Sequence, residues 1–228
     1  VTGVQTCALP ICPNVEDKPG AGEPGDHDSA VIAATRHWVD AAVIGLNLCP
    51  FAHAPRTGNR IRYCVSAACT PEDLARDLAI ELRLLAEADA DAIETTLLIH
   101  PDVLGDFADY NDFLDVAEAV LEDLGLAGEL QVASFHPQYQ FSGTRTDDMG
   151  NFTNRSPYPM LHLLREESID RAVAAHPDTD RIYQRNIEVL RALGLEGWRR
   201  LGIGPAERSE EHTSELQSRL HLVCRLLL

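Results

Sequence analysis

The pattern of apolar and polar residues divides the chain into strand-like and helix-like segments. Alternating apolar positions or short apolar runs predict strands over about residues 60–67, 94–100 and 129–135. Apolar residues spaced three and four positions apart predict helices over about residues 29–45, 71–88, 109–125 and 179–193. Two of these helices therefore connect three strands in sequence.

This order of elements determines the predicted fold. Strands joined by helices of this length favour parallel pairing through right-handed crossovers. The prediction is an α/β domain with a small, mainly parallel sheet of three to four strands, flanking helices and extra C-terminal helices. A ferredoxin-like α+β fold is the main alternative.

The ends of several helices can be predicted from capping residues. Thr70-Pro71 and Asp109 are expected to begin the two connecting helices, and Gly194 is expected to end the last helix. Helical signals return after about Pro159, so the apolar run at 160–164 is expected to be a helix, with His162 as a core histidine.

The two ends of the chain do not look like protein sequence. A back-translation of VTGVQTCALPI near the start, reverse-complemented and read in another frame, gives SEEHTSELQS near the end. This relation is typical of a translated sequencing adapter, so residues 1–12 and 208–228 are expected to be artefacts. Residues 13–28, rich in Pro, Gly and acidic residues, are expected to be a disordered lead-in, and residues 29–207 a single α/β domain.

The formal net charge of −17 restricts the partners of the chain. A chain this acidic is expected to be repelled by nucleic acid and by anionic membrane surfaces. It has no apolar run of about 18–20 residues for a membrane span and none of the common nucleotide-binding loops. Cys49, Cys64 and Cys69 are unevenly spaced and form no CxxC, and no targeting segment remains once the expected adapter ends are removed, so we expect a cytoplasmic protein. The near-total replacement of Lys by Arg suggests a bacterial genome rich in G and C.

A long polar segment, about residues 136–159, follows the third predicted strand. It carries four aromatic side chains among many polar ones: Tyr139, Phe141, Phe152 and Tyr158. Loops of this length without secondary structure are uncommon unless they bind something or are disordered, and disordered segments are poor in aromatic residues. We therefore expect an ordered, functional loop.

Three residues are candidates for catalysis. His100 and His136 each end a predicted strand and are each followed by proline, so parallel strands would place both at the carboxyl edge of the sheet. Either histidine could be a general base, and the two could share a divalent metal ion. Cys49 follows the first helix and is an optional nucleophile, although such a cysteine is more often a small buried residue.

Polar residues near these histidines are candidates for binding a small molecule. Asn111 begins the helix after the second strand, and the others belong to the long loop. The full set is Asn111, Gln138, Tyr139, Asn154, Arg155 and Ser156. Because a guanidinium matches carboxylate or phosphate oxygens, Arg145 and Arg155 favour an anionic ligand.

Five motifs in order resemble a known bacterial family. They are IGLNLCPFA (44–52), LIHP at the end of the second strand, DYNDFLD (109–115), VASFHPQYQF (132–141) and NRSPYPMLHLLRE (154–166). Over roughly residues 30–201, they resemble the family catalogued as domain of unknown function 1415. The resemblance implies a cytoplasmic bacterial protein without an established activity. His53 departs from the family, in which we expect a lysine.

Three functions are compatible with these observations. The leading hypothesis is a small-molecule enzyme with a polar His/Asn/Arg site at the carboxyl edge of the sheet. The second is a metal- or ligand-binding module without turnover, and the third is a structural or interaction protein whose motifs fix the long loop.

Overall fold

A computed structural model describes residues 26–175 and 179–206. Both expected adapter segments and nearly all of the expected lead-in lie outside these residues. Residues 26–28, expected to belong to the lead-in, are already helical. The helices and strands are α1 (Asp26–Trp38), α2 (His53–Thr57), β1 (Ile61–Val65), α3 (Pro71–Glu87), β2 (Thr95–Ile99), α4 (Phe107–Asp123), β3 (Leu130–Phe135), β4 (Met160–Arg165), α5 (Glu166–Ala175) and α6 (Thr179–Arg200). A π-helical turn, Val39–Ile44, continues α1, and a 3-10 turn, Met149–Thr153, precedes β4.

The described strands form one open sheet in the order β1-β2-β4-β3. Strands β1 and β2 are parallel, whereas β4 is antiparallel to both of its neighbours. The predicted mainly parallel sheet is therefore wrong, although the α/β class is confirmed. The ferredoxin-like alternative also differs from the structure. That fold has the order β-α-β-β-α-β, whereas this chain has an α-helix between β1 and β2, another between β2 and β3, and none between β3 and β4.

The error arises from β4, which the sequence led us to predict as a helix. Its residues, MLHLLR, are almost continuously apolar because β4 lies inside the sheet with both faces covered. A short apolar run without alternation cannot be told from a buried helix by its period. His162 therefore lies on a strand, where its Nε2 is 2.7 Å from the hydroxyl oxygen of Thr95.

The position of β4 leaves one prediction about direction intact. Since β4 runs opposite to both β2 and β3, those two strands point the same way, as does β1. The carboxyl ends of β1, β2 and β3 consequently lie at one edge of the sheet, next to the beginning of β4.

Two hydrophobic cores cover the two faces of the sheet. On one face α3 and α4 pack against Leu98, Leu161 and Leu163, and on the other α1 and α6 pack against neighbours such as Leu97 and Ile99. The buried face of α3 is Leu74, Leu78, Leu82 and Leu85. Each such leucine contributes about 1.5–3 kcal/mol of burial free energy, so these cores hold the sheet edge in place.

Helix ends agree with the prediction where the cap is local. The Thr70 hydroxyl accepts a hydrogen bond from the backbone N–H of Asp73, as expected of an N-cap. The cap of α4 is Asp106 instead of Asp109, and its carboxylate accepts from the N–H of Ala108 at 2.8 Å. Gly194 interrupts α6 with a φ of 64°, in the left-handed region that favours glycine.

None of the helices described here combines the length and the apolar run that a bilayer-crossing helix needs.

Candidate functional site

The carboxyl ends of β2 and β3 bring His100 and His136 together around Tyr110 of α4. The ring centroids of His100 and Tyr110 are 5.8 Å apart, with nearly parallel planes, and those of Tyr110 and His136 are 5.0 Å apart. All three side chains are fully buried. The two histidines thus lie at one edge of the sheet, each with its ring beside that of Tyr110, which was not among the predicted site residues.

The hydroxyl of Tyr110 connects α4 to the two strands beside it. It donates a hydrogen bond to the carbonyl oxygen of Met160 at 2.8 Å, and it accepts one from the backbone N–H of Phe135 at 3.1 Å. Burial raises the pKa of Tyr110 above its ordinary value, so the hydroxyl keeps its proton. Tyr110 therefore fixes where β3 ends and β4 begins.

The hydrogen bonds of His136 determine which ring nitrogen carries the proton. The backbone N–H of Gln138 donates to Nδ1 at 3.0 Å, so Nδ1 carries a lone pair. Nε2 lies 3.2 Å from the carbonyl oxygen of Leu104, which can only accept, so Nε2 carries the proton. Burial lowers the pKa of His136, which keeps the ring neutral, and neither nitrogen has a free lone pair.

His100 has the opposite tautomer and one nitrogen without a partner. Its Nδ1 lies 3.0 Å from the carbonyl oxygen of Val103 and must donate the proton. Nε2 therefore carries a lone pair, and it is buried with no hydrogen-bond partner among the described residues. Burial lowers the pKa of His100 to about 4, so the ring is neutral at pH 7.

The segment between β2 and α4 is held by both histidines. Consecutive carbonyl groups, those of Val103 and Leu104, accept from His100 and His136 respectively. Leu104 has a φ of 56°, a left-handed conformation that costs a residue with a side chain on the order of 1 kcal/mol. Such strain is often retained at functional sites.

An aromatic rim, which we define as Phe107, Tyr139 and Phe141, lies beside the histidine cluster. The ring centroids of Phe107 and Tyr139 are 5.1 Å apart, and those of Tyr139 and Phe141 are 5.0 Å apart. Phe107 also contacts His136, with a centroid distance of 5.4 Å. All three rim side chains are partly exposed, in contrast to the buried histidines.

The long loop is ordered by Asn151, a fully buried side chain. Its amide oxygen accepts from the N–H of Phe141 at 3.1 Å and from the hydroxyl of Thr144 at 2.8 Å. Its amide nitrogen donates to the carbonyl oxygen of Arg145 at 2.8 Å. This role was not predicted from the sequence, although an Asn inside a long loop is a residue type that often bonds to local backbone groups.

The two arginines predicted to bind an anion already have partners. Arg145 forms a two-point ion pair with Asp147, at 2.9–3.0 Å, on the surface. Arg155 donates to the carbonyl oxygens of Tyr139 and Thr146, and its guanidinium lies 4.2 Å from the ring centroid of Phe152. Burial lowers the pKa of Arg155.

Two more of the predicted binding residues support the loop. The side-chain amide of Asn154 donates to the carbonyl oxygen of Ser134, and the hydroxyl of Ser156 donates to the carbonyl oxygen of Tyr158. The remaining two, Asn111 and Gln138, are exposed to solvent. Of the six predicted binding residues, only Tyr139 contributes its side-chain ring to the rim. Gln138 and Asn154 contact His136 through backbone groups, and Arg155 contacts the carbonyl oxygen of Tyr139.

Cys49 lies in the turn after the π-helical segment. Burial raises the pKa of its thiol, and this effect exceeds the lowering by the nearby backbone N–H groups of Phe51 and Ala52. A nucleophilic cysteine needs the opposite shift, because the thiolate is the reactive form.

The described residues contain no group of three or more His, Cys, Asp or Glu side chains that could hold a metal ion. The lone pair of His100 has no second ligand beside it, because both nitrogens of His136 bond to the backbone.

An open groove of about 530 Å³ lies along α1, and neither histidine lines it. Its lining residues are Ser29, Ile32, Ala33, Arg36, His37 and Asp40.

These observations define a mixed α/β domain with a buried histidine–tyrosine cluster at the carboxyl edge of its sheet. The sequence model of a family described as Protein of unknown function (DUF1415) matches residues 30–200, and the chain belongs to this family. The chain matches no curated protein and no solved structure. The family predicted from the five motifs is confirmed, whereas the bacterial origin, the cytoplasmic location and the adapter origin of the ends stay predictions.

Proposed function

We propose that the protein is a small-molecule enzyme in which His100 accepts a proton from the substrate. The observation that carries this proposal is the buried lone pair on Nε2 of His100, which has no partner among the described residues. A buried polar atom without a partner costs about 1–3 kcal/mol, and most buried polar groups in proteins are paired. A ligand that donates a hydrogen bond to Nε2 would remove this cost.

The surroundings of His100 support the role of general base. The bond from Nδ1–H to Val103 fixes the tautomer and orients the ring, as the third group does in a catalytic triad. His136 and Tyr110 are positioning residues, because their polar atoms bond to backbone groups of the same edge. Since the His100 ring has no exposed surface, the substrate reaches Nε2 only when neighbouring side chains move aside.

The test uses fragments that each carry one hydrogen-bond donor, namely small amides, alcohols and amines. Binding is followed through the ring ¹⁵N signals of histidine-labelled protein. We expect fragments that shift the Nε2 signal of His100 while leaving His162, whose Nε2 contacts Thr95, unchanged. If no donor fragment in the panel shifts His100 selectively, the proposal is wrong.

The variant His100→Asn separates binding from folding. The Asn amide nitrogen takes about the place of Nδ1 and can still donate to Val103, but the Nε2 lone pair is gone. We expect a folded protein with at least tenfold weaker fragment binding. Unchanged binding in His100→Asn would leave His100 with a structural role only.

The other two functions receive less support from the geometry. A metal-binding module needs converging ligands, and His136 offers no free lone pair. A purely structural role explains the hydrogen bonds of the loop but leaves the orphaned nitrogen of His100 without a reason.

A further inference from the structure

Arg36 lines the groove along α1 and forms no ion pair with the described residues. Its guanidinium carbon lies 5.0 Å from the ring centroid of Tyr63 on β1. Asp40 follows one helical turn later on the same face, but its carboxylate pairs with Arg56, which donates to both oxygens at 2.8 Å. The ring of Tyr63 supports the guanidinium of Arg36, whose hydrogen-bonding groups stay available to a ligand.

The hydroxyl of Tyr63 is a second polar group without a partner at this place. It is buried and forms no hydrogen bond within the described part of the chain. Burial raises the pKa of Tyr63, and the charges of Arg56 and Arg36 act against this effect, so both guanidinium groups lie near the hydroxyl. Most buried polar groups are paired, and a ligand that accepts a hydrogen bond from Tyr63 would pair this one.

The charged groups at the groove leave one net positive charge. Asp40 and Arg56 compensate each other, whereas Arg36 has no such counter-ion among the residues described. Two acids at the start of α1, Asp26 and Asp28, do not line the groove. Asp28 precedes Arg36 by about 12 Å along the helix axis, more than the distance over which exposed charges interact strongly at physiological ionic strength. The groove therefore suits a ligand with a single negative charge.

The rest of the lining suits a small apolar body. Ile32 and Ala33 contribute hydrocarbon surface, and the Nε2 of His37 is already engaged, 2.7 Å from the carbonyl oxygen of Leu201. The volume of about 530 Å³ falls within the range of small-molecule sites, about 300–1,000 Å³.

We propose that this groove binds the carboxylate of a small organic acid with an apolar chain. The guanidinium of Arg36 donates parallel hydrogen bonds to the carboxylate, and the hydroxyl of Tyr63 donates another. Since that hydroxyl is buried, the side chains around it shift before a carboxylate oxygen reaches it. The apolar chain packs along Ile32 and Ala33. This site is separate from His100, and it does not depend on the proposed function.

The test compares hexanoate with hexanamide, a neutral molecule of the same length. Binding to the full chain is followed through the ring proton signals of Tyr63 and the backbone amide signal of Arg36. We expect hexanoate to bind at least about fivefold more tightly, because hydrogen bonds to an ionised acceptor are the stronger ones. Equal affinities, or no response of these signals to hexanoate, would overturn the proposal.

Variants of the two donors assign the binding to their side chains. Arg36→Gln should weaken hexanoate binding by at least about fivefold with little effect on hexanamide, and Tyr63→Phe, which keeps the ring, should weaken it by about fivefold. Arg83→Gln is the matched control, because Arg83 is an exposed arginine of α3 outside the groove. Unchanged binding in Arg36→Gln, or an equal loss in Arg83→Gln, would overturn the site, and unchanged binding in Tyr63→Phe would overturn the role of its hydroxyl.

Hexyl phosphate distinguishes a carboxylate site from a phosphate site. It has a chain of the same length but is mostly a dianion at about pH 7.5, so one of its charges would stay uncompensated at the groove. We therefore expect it to bind less tightly than hexanoate, and tighter binding would overturn the assignment to carboxylates.

The groove and the histidine cluster can be tested separately. Hexanoate should bind to His100→Asn as it binds to the wild type, because His100 does not line the groove. A loss of hexanoate binding in this variant would contradict a separate site. Donor fragments that shift the ring nitrogen of His100 should do so equally in Arg36→Gln, so either proposal can fail while the other holds.

Discussion

Two polar regions of this domain differ in how their buried groups are satisfied. Between β1 and α3, Arg62 donates two hydrogen bonds to Glu81 at 2.7 and 2.9 Å, and Ser66 donates to Asp77 at 2.6 Å. At the carboxyl edge, side chains bond to backbone carbonyls and one histidine nitrogen has no partner. The first region is a completed network, whereas the second has capacity to bind something more.

The comparison shows why burial alone is a poor guide to function. Glu81 is only 5% exposed, yet its two carboxylate oxygens are both paired, so a structural role accounts for it. His100 is equally inaccessible but carries an unused acceptor. Other buried atoms, such as the hydroxyl of Thr96, also have no partner, so the candidate site is identified by an unsatisfied histidine nitrogen that lies at the carboxyl edge of the sheet.

Acidification should produce the largest effect on stability, and the carboxyl edge should contribute to it. Burial lowers the pKa of His100 and of His162 to about 4, below about 6.5 in an unfolded chain. The unfolded state binds more protons in this window, so the stabilisation is complete above about pH 6.5 and is lost as the pH falls towards 4. The free energy of unfolding, measured by urea titration, should fall by about 3–4 kcal/mol between pH 7 and pH 5 because of these two histidines.

The variant His100→Asn sharpens this prediction. Since one of the two titrating groups is gone, the fall in the free energy of unfolding between pH 7 and pH 5 should be smaller by about 2 kcal/mol. The same acid-induced loss in wild type and variant would contradict the neutral, buried state of His100.

Tyr110→Phe should have the next largest effect on stability, because the Tyr110 hydroxyl forms hydrogen bonds with two backbone groups. Its loss leaves the carbonyl of Met160 and the N–H of Phe135 unpaired in the core. We expect a loss of about 2–4 kcal/mol in the free energy of unfolding, measured by urea titration. Tyr183→Phe, at an exposed position, is the control and should change stability by less than about 0.5 kcal/mol.

Glu81→Gln should cost less than Tyr110→Phe, although it removes a charge from an ion pair. Arg62 is partly exposed, so its guanidinium can turn to water, and the amide can still accept one of its hydrogen bonds. We expect a loss of about 1–2 kcal/mol in urea unfolding. A larger loss than that of Tyr110→Phe would reverse the proposed contrast between the two regions.

Ser66→Ala should have the smallest effect of the set. Its hydroxyl donates to Asp77, and the oxygen accepts from the N–H of Ala68 at 3.1 Å. Asp77 is partly exposed, so water can replace the lost hydrogen bond to its carboxylate. A loss of about 0.5–1.5 kcal/mol is expected in the same assay. A change in fragment binding at His100 in this variant would show that the two regions are coupled.

The sequence was sufficient for the features that depend on local pattern. The strands β1, β2 and β3 lie within one or two residues of their predicted bounds, and Thr70 caps α3 as expected. The prediction that His100 and His136 end strands followed from the prolines after them. These features need only near neighbours in the chain.

Features that depend on distant contacts were not predictable. Strand β4 reads as an apolar run, and only its place between β2 and β3 makes it a strand. Tyr110 bonds to groups 25 and 50 residues away, so no local pattern shows that its ring lies beside both histidines. The engagement of Arg155 by backbone carbonyls likewise depends on the path of the whole loop.

The most direct test of the central claim is the tautomer of each histidine in the free protein at pH 7, measured by long-range ¹H–¹⁵N correlation. The account predicts opposite neutral tautomers, with the proton of His100 on Nδ1 and that of His136 on Nε2. An imidazolium at His100, or a proton on its Nε2, would contradict the free acceptor on which the proposed function depends.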